Sequence, residues 1–265
     1  MRVTISQVEA DGKIILQESA GLAIVTIQRP GLKNAITSGM WRELAEIGRL
    51  IPENPKTRVV ILRGSKDQFC SGSDLKEFNQ MSINEAHEAF RLMEQAISTF
   101  EKLPLPTIAA INGPALGAGF VLSLACDLRV GTSKAKMGIP VGRLGITLNQ
   151  MFVKRIADLI GGSRTMDLVY TGRLLDASEC CQLGLVNYMV PDDEDVDHFT
   201  LRLAKKVMEQ SPASLLAVKR SVAYNKPALS FPWDTGTASS IDVNDFPEGV
   251  RSFVEKRKPN FKGRG

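Results

Sequence analysis

Two glycine-rich turns decide how this chain folds: Phe69-Cys70-Ser71-Gly72-Ser73-Asp74-Leu75-Lys76 and Asn112-Gly113-Pro114-Ala115-Leu116-Gly117-Ala118-Gly119-Phe120. Each turn follows an apolar run that is typical of a buried strand, at 59–64 and 108–113, and leads into a helix. Small residues in the turns let backbone N–H groups point inward without a Cβ clash. Two such donors can hold one developing negative charge, so the two turns together predict an oxyanion hole.

Other functions of glycine-rich turns do not fit this sequence. A dinucleotide-binding turn needs a third glycine where Leu122 stands, and a phosphate-binding loop needs a Gly-Lys pair followed by Ser or Thr, which is missing after Gly119. A serine peptidase needs a Ser–His–Asp set. His87 lies in a predicted exposed helix and His198 beside an acidic stretch, so neither histidine is placed for catalysis.

The composition is typical of a soluble globular protein of 265 residues, with 43% hydrophobic and 23% charged residues and no apolar run of membrane-spanning length. Residues 1–9 lack the apolar core of a secretory signal, so we expect a cytoplasmic protein with no membrane association. A net charge of +4 with scattered basic residues predicts no nucleic-acid partner. The cysteines lack metal-binding spacing, and we expect reduced thiols and no metal at Cys70, Cys126, Cys180 and Cys181.

Strands and helices alternate in the first part of the chain, and helices dominate after Asn149. This alternation implies an α/β fold whose parallel strands are joined by right-handed crossovers. Hydrophobic periodicity predicts strands at 22–27, 59–63, 108–112, 127–131 and 185–190, and helices at 38–51, 83–102, 119–126, 149–160, 163–170, 176–183, 193–210 and 212–225.

The two turns resemble the signatures of the crotonase superfamily, the enoyl-CoA hydratase/isomerase family. Residues 69–76 are similar to A-G-x-D-L/I-K-E, and residues 112–127 to N-G-x-A-x-G-G/A-G-x-x-L-x-x-x-x-D. The likeness also includes Ala35 in the turn 29–36, the stretch 177–186 and the tail 248–257, so it covers nearly the whole chain.

The resemblance implies a crotonase-like spiral of ββα units over residues 1–192, followed by a C-terminal helical region over 193–265 that builds oligomer contacts. It implies a homotrimer or a dimer of trimers that acts on an acyl-CoA. The CoA belongs to the substrate, and no further cofactor is expected.

By position, the resemblance places the two oxyanion donors on the backbone N–H groups of Ser73 and Ala118. It implies that CoA lies along the first turn and that Phe253 and Lys256 of a neighbouring subunit close over its adenine end. The expected substrate-binding residues are Lys33, Ala35, Ser71, Asp74, Leu75, Phe120, Val121, Val141, Arg143, Leu144, Thr147 and Asn149.

The catalytic carboxylates of the family's hydratases are missing. In those enzymes two Glu side chains hold the water that adds across the double bond. One stands three residues after the second oxyanion donor, where this chain has Val121, and the other ends a Gly-x-Pro-Glu turn, where it has Val141. A positioned acid–base group contributes about 10²–10⁴ in rate. The resemblance therefore implies a poor hydratase.

The remaining polar residues each have two interpretations. Asp74 is expected to cap the helix that starts at Leu75 rather than to act as a base. Arg143 could pair with a substrate carboxylate or lie on a solvated face. Thr147 and Asn149 could orient a water molecule or a substrate hydroxyl, or cap the helix at 149–160.

Several functions stay open at this point. An oxyanion hole beside an apolar pocket, with Met81 or Met151 also near it, favours decarboxylation of a carboxylated acyl-CoA, because this reaction forms the enolate without removing a proton. Double-bond isomerisation, carbon–carbon bond formation or cleavage, and thioester hydrolysis are alternatives within the family. A non-catalytic binding protein of the same fold is the alternative class.

Overall fold

Seven strands form the main sheet, in a computed structural model that describes residues 2–5, 12–224 and 245–260. Their order in the sheet is β1 (Arg2–Ile5), β2 (Lys13–Ser19), β3 (Leu22–Gln28), β4 (Val59–Gly64), β5 (Thr107–Ile111), β7 (Leu128–Gly131) and β9 (Tyr188–Met189). A second, two-stranded parallel sheet pairs β6 (Pro114–Leu116) with β8 (Lys136–Gly138).

The helices connect and cover these strands. They are α1 (Ser38–Leu50), α2 (Leu75–Phe78), α3 (Ile83–Glu101), α4 (Ala118–Leu124), α5 (Gln150–Ile160), α6 (Gly162–Thr171), α7 (Ala177–Gln182), α8 (Val196–Met208), α9 (Pro212–Tyr224) and α10 (Asp245–Val254). Within the described ranges, none of them is long and apolar enough to cross a bilayer.

The α/β fold and the parallel strands from β3 to β9 are as predicted, but the N-terminal strands are a correction. β1, β2 and β3 pair antiparallel. Between β2 and β3 the reason is a two-residue turn, because Ala20 and Gly21 both have positive φ angles, as tight hairpin turns require. Periodicity did not predict five elements: the strands β1, β2, β6 and β8 and the helix α10. Most of these strands are short or lie at an edge of a sheet.

Both faces of the main sheet are covered, as is usual for parallel strands. Along β4, Val60 and Leu62 face the cluster that contains α1 and α3, while Val59 and Ile61 face the cluster under α8. This alternation follows from the two-residue period of a strand.

The helix α10 returns to the first half of the chain. Phe246 packs against Phe78 of α2 and Phe90 of α3, with ring centroids 5.6 and 6.0 Å apart. A Cβ at Gly249 would lie 2.4 Å from the carbonyl carbon of Leu144, so the helix also lies directly on the 141–144 turn. The division at residues 192 and 193 stays a prediction; residues 1, 6–11, 225–244 and 261–265 lie outside the described ranges.

Candidate active site

The first glycine-rich turn is fixed by a main-chain bridge to residue 36. The Ile36 N–H donates to the Gly72 carbonyl, and the Asp74 N–H donates to the Ile36 carbonyl, both at 2.9 Å. A trans peptide unit holds its N–H opposite its C=O. Because the Gly72 carbonyl points toward Ile36, the Ser73 N–H points away from it. That N–H has no hydrogen-bond acceptor among the residues that the structure describes.

In the second turn, the peptide unit between Gly117 and Ala118 orients the Ala118 N–H in the same way. The Gly117 carbonyl accepts a hydrogen bond from the Val121 N–H at 3.2 Å and therefore points along α4. The Ala118 N–H points the opposite way, out of the helix start, where α4 does not need it. The Gly117 N–H is held by the Gly138 carbonyl at 2.9 Å.

The two turns touch each other, which brings the Ser73 and Ala118 amides to one place. A Cβ added at Gly72 would lie 3.3 Å from the Ala118 nitrogen. A Cβ at Gly119 would lie 2.4 Å from the Cys70 carbonyl oxygen. Only glycine permits this approach, so the arrangement offers two adjacent donors for one oxyanion.

Cys70 belongs to the first turn and pairs with the second turn in another bridge, to Ala115. Its Sγ accepts a hydrogen bond from the Gly72 N–H at 3.3 Å. Burial raises the pKa of the Cys70 thiol to about 12. The group is therefore a protonated thiol that packs, not a thiolate nucleophile.

Asn34 joins the two loop segments that lead into the first turn by side-chain hydrogen bonds. It was not among the residues predicted from the sequence. It is fully buried, and its Oδ1 accepts hydrogen bonds from the Arg29 N–H and the Ser65 hydroxyl, each at 2.9 Å. Its Nδ2 donates to the carbonyls of Ser65 and Gln68 at 3.0 Å. Its backbone is left-handed, with a φ of 54°, a conformation that asparagine tolerates. The only signal in the sequence was therefore an asparagine within a turn.

Asp74 caps α2, as predicted. Its Oδ1 accepts from the Lys76 N–H at 2.8 Å, and its Oδ2 accepts from the Arg29 guanidinium at 2.7 Å in a buried ion pair. Burial would raise the pKa of this carboxyl, but the hydrogen bond from Arg29 and those from the backbone outweigh it, so the pKa is lowered. An ionised, fully engaged carboxylate is a poor general base.

The side chains that follow Ala118 in α4 and Gly138 in the neighbouring turn are apolar, and their contact with an acyl group stays a prediction. Val121 lies one turn into α4 from Ala118 and is fully buried, as is Phe120. Val141 follows Gly138 in the neighbouring turn and is 7% exposed. All three side chains belong to the main core cluster. Met81 packs against this cluster, Leu144 is half-buried, and Met151 is exposed.

The other predicted polar residues lie on or near the 141–149 segment. Arg143 and Thr147 are exposed. Asn149 caps α5, with its Oδ1 accepting from the Phe152 N–H at 2.9 Å, which confirms the capping interpretation. His87 is half-buried on α3, and His198 is exposed on α8.

The residues expected along CoA surround the first turn. The Lys33 carbonyl accepts from the Ser71 N–H at 3.1 Å, and the Ala35 carbonyl accepts from the Arg29 guanidinium at 3.2 Å. These main-chain groups bond inside the protein, while the Lys33 side chain is exposed and Leu75 starts α2, half-buried.

Two further expectations concern the C-terminal tail and metals. Phe253 and Lys256 are exposed at and just beyond the end of α10, and their contact with a neighbouring subunit stays a prediction.

Across residues 2–5, 12–224 and 245–260, no group of three or more His, Cys, Asp or Glu side chains is arranged to hold a metal ion.

The Arg29–Asp74 pair predicts a specific pH dependence of stability. Because the folded-state pKa of Asp74 is lowered, its contribution is complete above its ordinary pKa of about 4 and is lost as the pH falls through the folded value. Asp74→Asn should lower the free energy of unfolding at pH 7 by about 3 kcal/mol, and the difference from wild type should shrink toward pH 3. Urea denaturation at several pH values measures it.

The matched control is Asp167→Asn, which breaks an exposed pair with Arg173 and should change stability by at most about 1 kcal/mol. A difference between wild type and Asp74→Asn that does not vary with pH would contradict the assignment.

Comparison with known proteins identifies the family. The sequence model of the enoyl-CoA hydratase/isomerase family matches residues 17–264. A probable mitochondrial enoyl-CoA hydratase 2 of Arabidopsis thaliana is 35% identical, over 92% of this chain and 82% of the relative. A mitochondrial methylglutaconyl-CoA hydratase of Mus musculus is 32% identical, over 93% of this chain and 81% of the relative.

A solved structure shares the fold as well. The crystal structure of an enoyl-CoA hydratase/carnithine racemase from Magnetospirillum magneticum superposes with a TM-score of 0.77 at 30% identity, covering 95% of this chain and 96% of that one. The glycine-rich turns, the fold and these matches agree: the chain belongs to the enoyl-CoA hydratase/isomerase family of the crotonase superfamily.

Proposed function

We propose that the protein binds an acyl-CoA and stabilises a thioester enolate with the N–H groups of Ser73 and Ala118. The observation that carries this proposal is the opposed orientation of two peptide units in touching turns, which leaves both N–H groups without an acceptor among the described residues. Removing one such donor from an enzyme typically costs about 2.7–4 kcal/mol of transition-state stabilisation. The names of its relatives, which refer to enoyl-CoA and methylglutaconyl-CoA, support a CoA thioester as the substrate.

Hydration is the reaction that this site serves least, although several relatives are named hydratases. Val121 and Val141 offer no oxygen that could hold or deprotonate water. Asp74 is engaged by Arg29. The Glu77 carboxylate accepts from the Ser38 N–H at 2.9 Å.

Decarboxylation of a carboxylated acyl-CoA is the reaction that the site supports best. The bond between the α-carbon and the carboxylate breaks, its electron pair becomes the enolate, and CO₂ leaves. A proton from water then completes the α-carbon. The step needs no protein base, and the exposed Arg143 can meet the substrate carboxylate. Methylglutaconyl-CoA, named in a relative, carries its carboxylate on the γ-carbon; when CO₂ leaves there, the electron pair passes through the carbon–carbon double bond to the thioester and forms a dienolate that the same two N–H groups can stabilise.

The other reactions of an enolate-stabilising site need a positioned base or nucleophile. Isomerisation, carbon–carbon bond formation or cleavage, and thioester hydrolysis would each require one. Asp74 and Asn149, two of the candidates, are engaged in helix capping. For this reason we place these reactions behind decarboxylation.

We further propose that the protein assembles as a homotrimer or a dimer of trimers. Val218 and Val222 on α9 are 63% and 58% exposed, and Phe253 on α10 is 60% exposed. Val218 and Val222 are four residues apart and so share one face of α9, and an exposed apolar face of this kind marks a contact between proteins. The segment 231–233, which we also expect to contribute, lies outside the described residues.

Light scattering should therefore give a mass of three or six times the 28.9 kDa chain at micromolar concentration. Val218→Asp/Val222→Asp should reduce the mass, because two charges would be placed in the contact. A single-chain mass for the wild type would refute the assembly.

Ala118→Pro tests the oxyanion donor directly. Proline removes the N–H, yet the first position of a helix accepts proline. Turnover of the substrate should fall by about 10²–10³ or more. Gly162→Pro is the matched control, because Gly162 also starts a helix after a glycine with positive φ. Activity in Ala118→Pro equal to that of this control would show that the donor is wrongly assigned.

The turnover number for hydration of crotonyl-CoA should be well below the enzyme median of about 10 s⁻¹, because both carboxylates are replaced by valine. Val121→Glu/Val141→Glu should raise it. A wild-type rate at or above the median, measured by loss of the enoyl absorbance, would reveal a base that the described residues do not suggest.

The proposed reaction is tested by incubating the protein with malonyl-, methylmalonyl- and methylglutaconyl-CoA and following the mass of each thioester. We expect at least one to lose CO₂, and Arg143→Gln to raise KM for that substrate. If none is decarboxylated while isomerase or hydrolase turnover is found with other acyl-CoA thioesters, decarboxylation is wrong and the preference moves to those reactions.

A further inference from the structure

The side chain of Ser73 is tied to two helices behind the oxyanion hole. Trp41 on α1 is 1% exposed, and its Nε1–H donates to the Ser73 hydroxyl oxygen at 3.1 Å. The Ser73 hydroxyl in turn donates to the sulfur of Met93 on α3 at 3.4 Å. The hydroxyl proton is therefore directed into the protein core rather than toward a substrate.

This contact is not needed to build the turn. The bridge to Ile36 uses only main-chain atoms, so alanine at position 73 could make it equally well. The serine adds an acceptor for an indole N–H, which is a donor only and would otherwise be buried without a partner. Leaving such a group unsatisfied in the protein interior is destabilising.

The hydrogen bond from Trp41 to Ser73 restrains the peptide unit that carries the proposed oxyanion donor. The Ser73 N–H belongs to the peptide between Gly72 and Ser73, and Gly72 has a φ of 101°, a conformation that places few limits on rotation of this unit. The carbonyl side of the unit is held by the Ile36 N–H at 2.9 Å and by a weak contact from the Cys70 thiol at 3.8 Å. The Trp41 contact restrains the next residue and so limits the same rotation from the other side.

We propose that Trp41 is a positioning residue for the enolate-stabilising amide and acts through the Ser73 hydroxyl. The proposal rests on the proposed function. It also implies that the hydroxyl does not transfer protons to the substrate, because its proton is shared with Met93.

Acetoacetyl-CoA is a suitable probe, because its enolate can be observed without turnover. The carbon between its two carbonyl groups loses a proton to the buffer, and the electron pair is delocalised into a conjugated enolate that absorbs in the near ultraviolet. Two aligned N–H donors favour the enolate over the keto form. The ratio of the two bound forms at fixed pH, with protein in excess, therefore reports how well the amides are aligned.

The variants are Trp41→Phe, Ser73→Ala and the double variant, each checked for folding by circular dichroism. Each single change should lower the bound enolate-to-keto ratio about two- to tenfold, the range expected for one lost hydrogen bond. The double variant should lower it no further, because both changes remove the same bond. Thr200→Val, which removes a buried hydroxyl on α8, should leave the ratio unchanged.

The outcomes separate this proposal from the proposed function. If wild type binds acetoacetyl-CoA without forming enolate, the oxyanion hole itself is refuted. If wild type forms enolate and Ser73→Ala leaves the ratio unchanged, Trp41 does not position the amide. A Trp41→Phe effect that persists in full in the Ser73→Ala background would show that Trp41 acts by another route, which also overturns the proposal.

Discussion

Two main-chain bridges hold the functional part of this protein in place. On one side the Gly72 carbonyl and the Asp74 N–H of the first glycine-rich turn bond to Ile36; on the other side, Cys70 bonds to the residues that flank Ala115. The turns follow β4 and β5, which are neighbouring parallel strands, so they leave the sheet at the same edge. The main chain is thus fixed by its own hydrogen bonds, and the two remaining N–H groups are presented together.

Buried polar groups behind the hole stabilise this geometry. The Asn34 side chain bonds to five groups between two loops, and Asp74 joins Arg29 to the start of α2. Hydrogen bonds are stronger in the low-dielectric interior than in water, so this network favours one arrangement of the loops. The walls in front of the network are apolar, and an enolate there would depend on the two amides, whose electrostatic effect is larger away from water.

The sequence was sufficient to predict the two turns and the cap at Asp74, because glycine spacing and capping are local signals, while the role of the two amides stays a prediction. It did not reveal Asn34 or the bond between Trp41 and Ser73, since these join residues about 30 positions apart or more and leave no periodic pattern. The antiparallel hairpin of β2 and β3 was missed as well, because its turn is Ala20-Gly21 and lacks the asparagine or aspartate that usually marks it. The contact of α10 with α2 depends on Phe246, which is distant in sequence from Phe78.

The central claim is that two backbone amides, rather than a pair of carboxylates, perform the chemistry. A crystal structure with a non-reactive acyl-CoA analogue tests it most directly. The account predicts that the thioester oxygen lies about 2.7–3.1 Å from both the Ser73 and the Ala118 nitrogen, with Val121 and Val141 facing the acyl group. A thioester oxygen bound by neither amide, or an ordered catalytic water held by a carboxylate beside the acyl group, would contradict it.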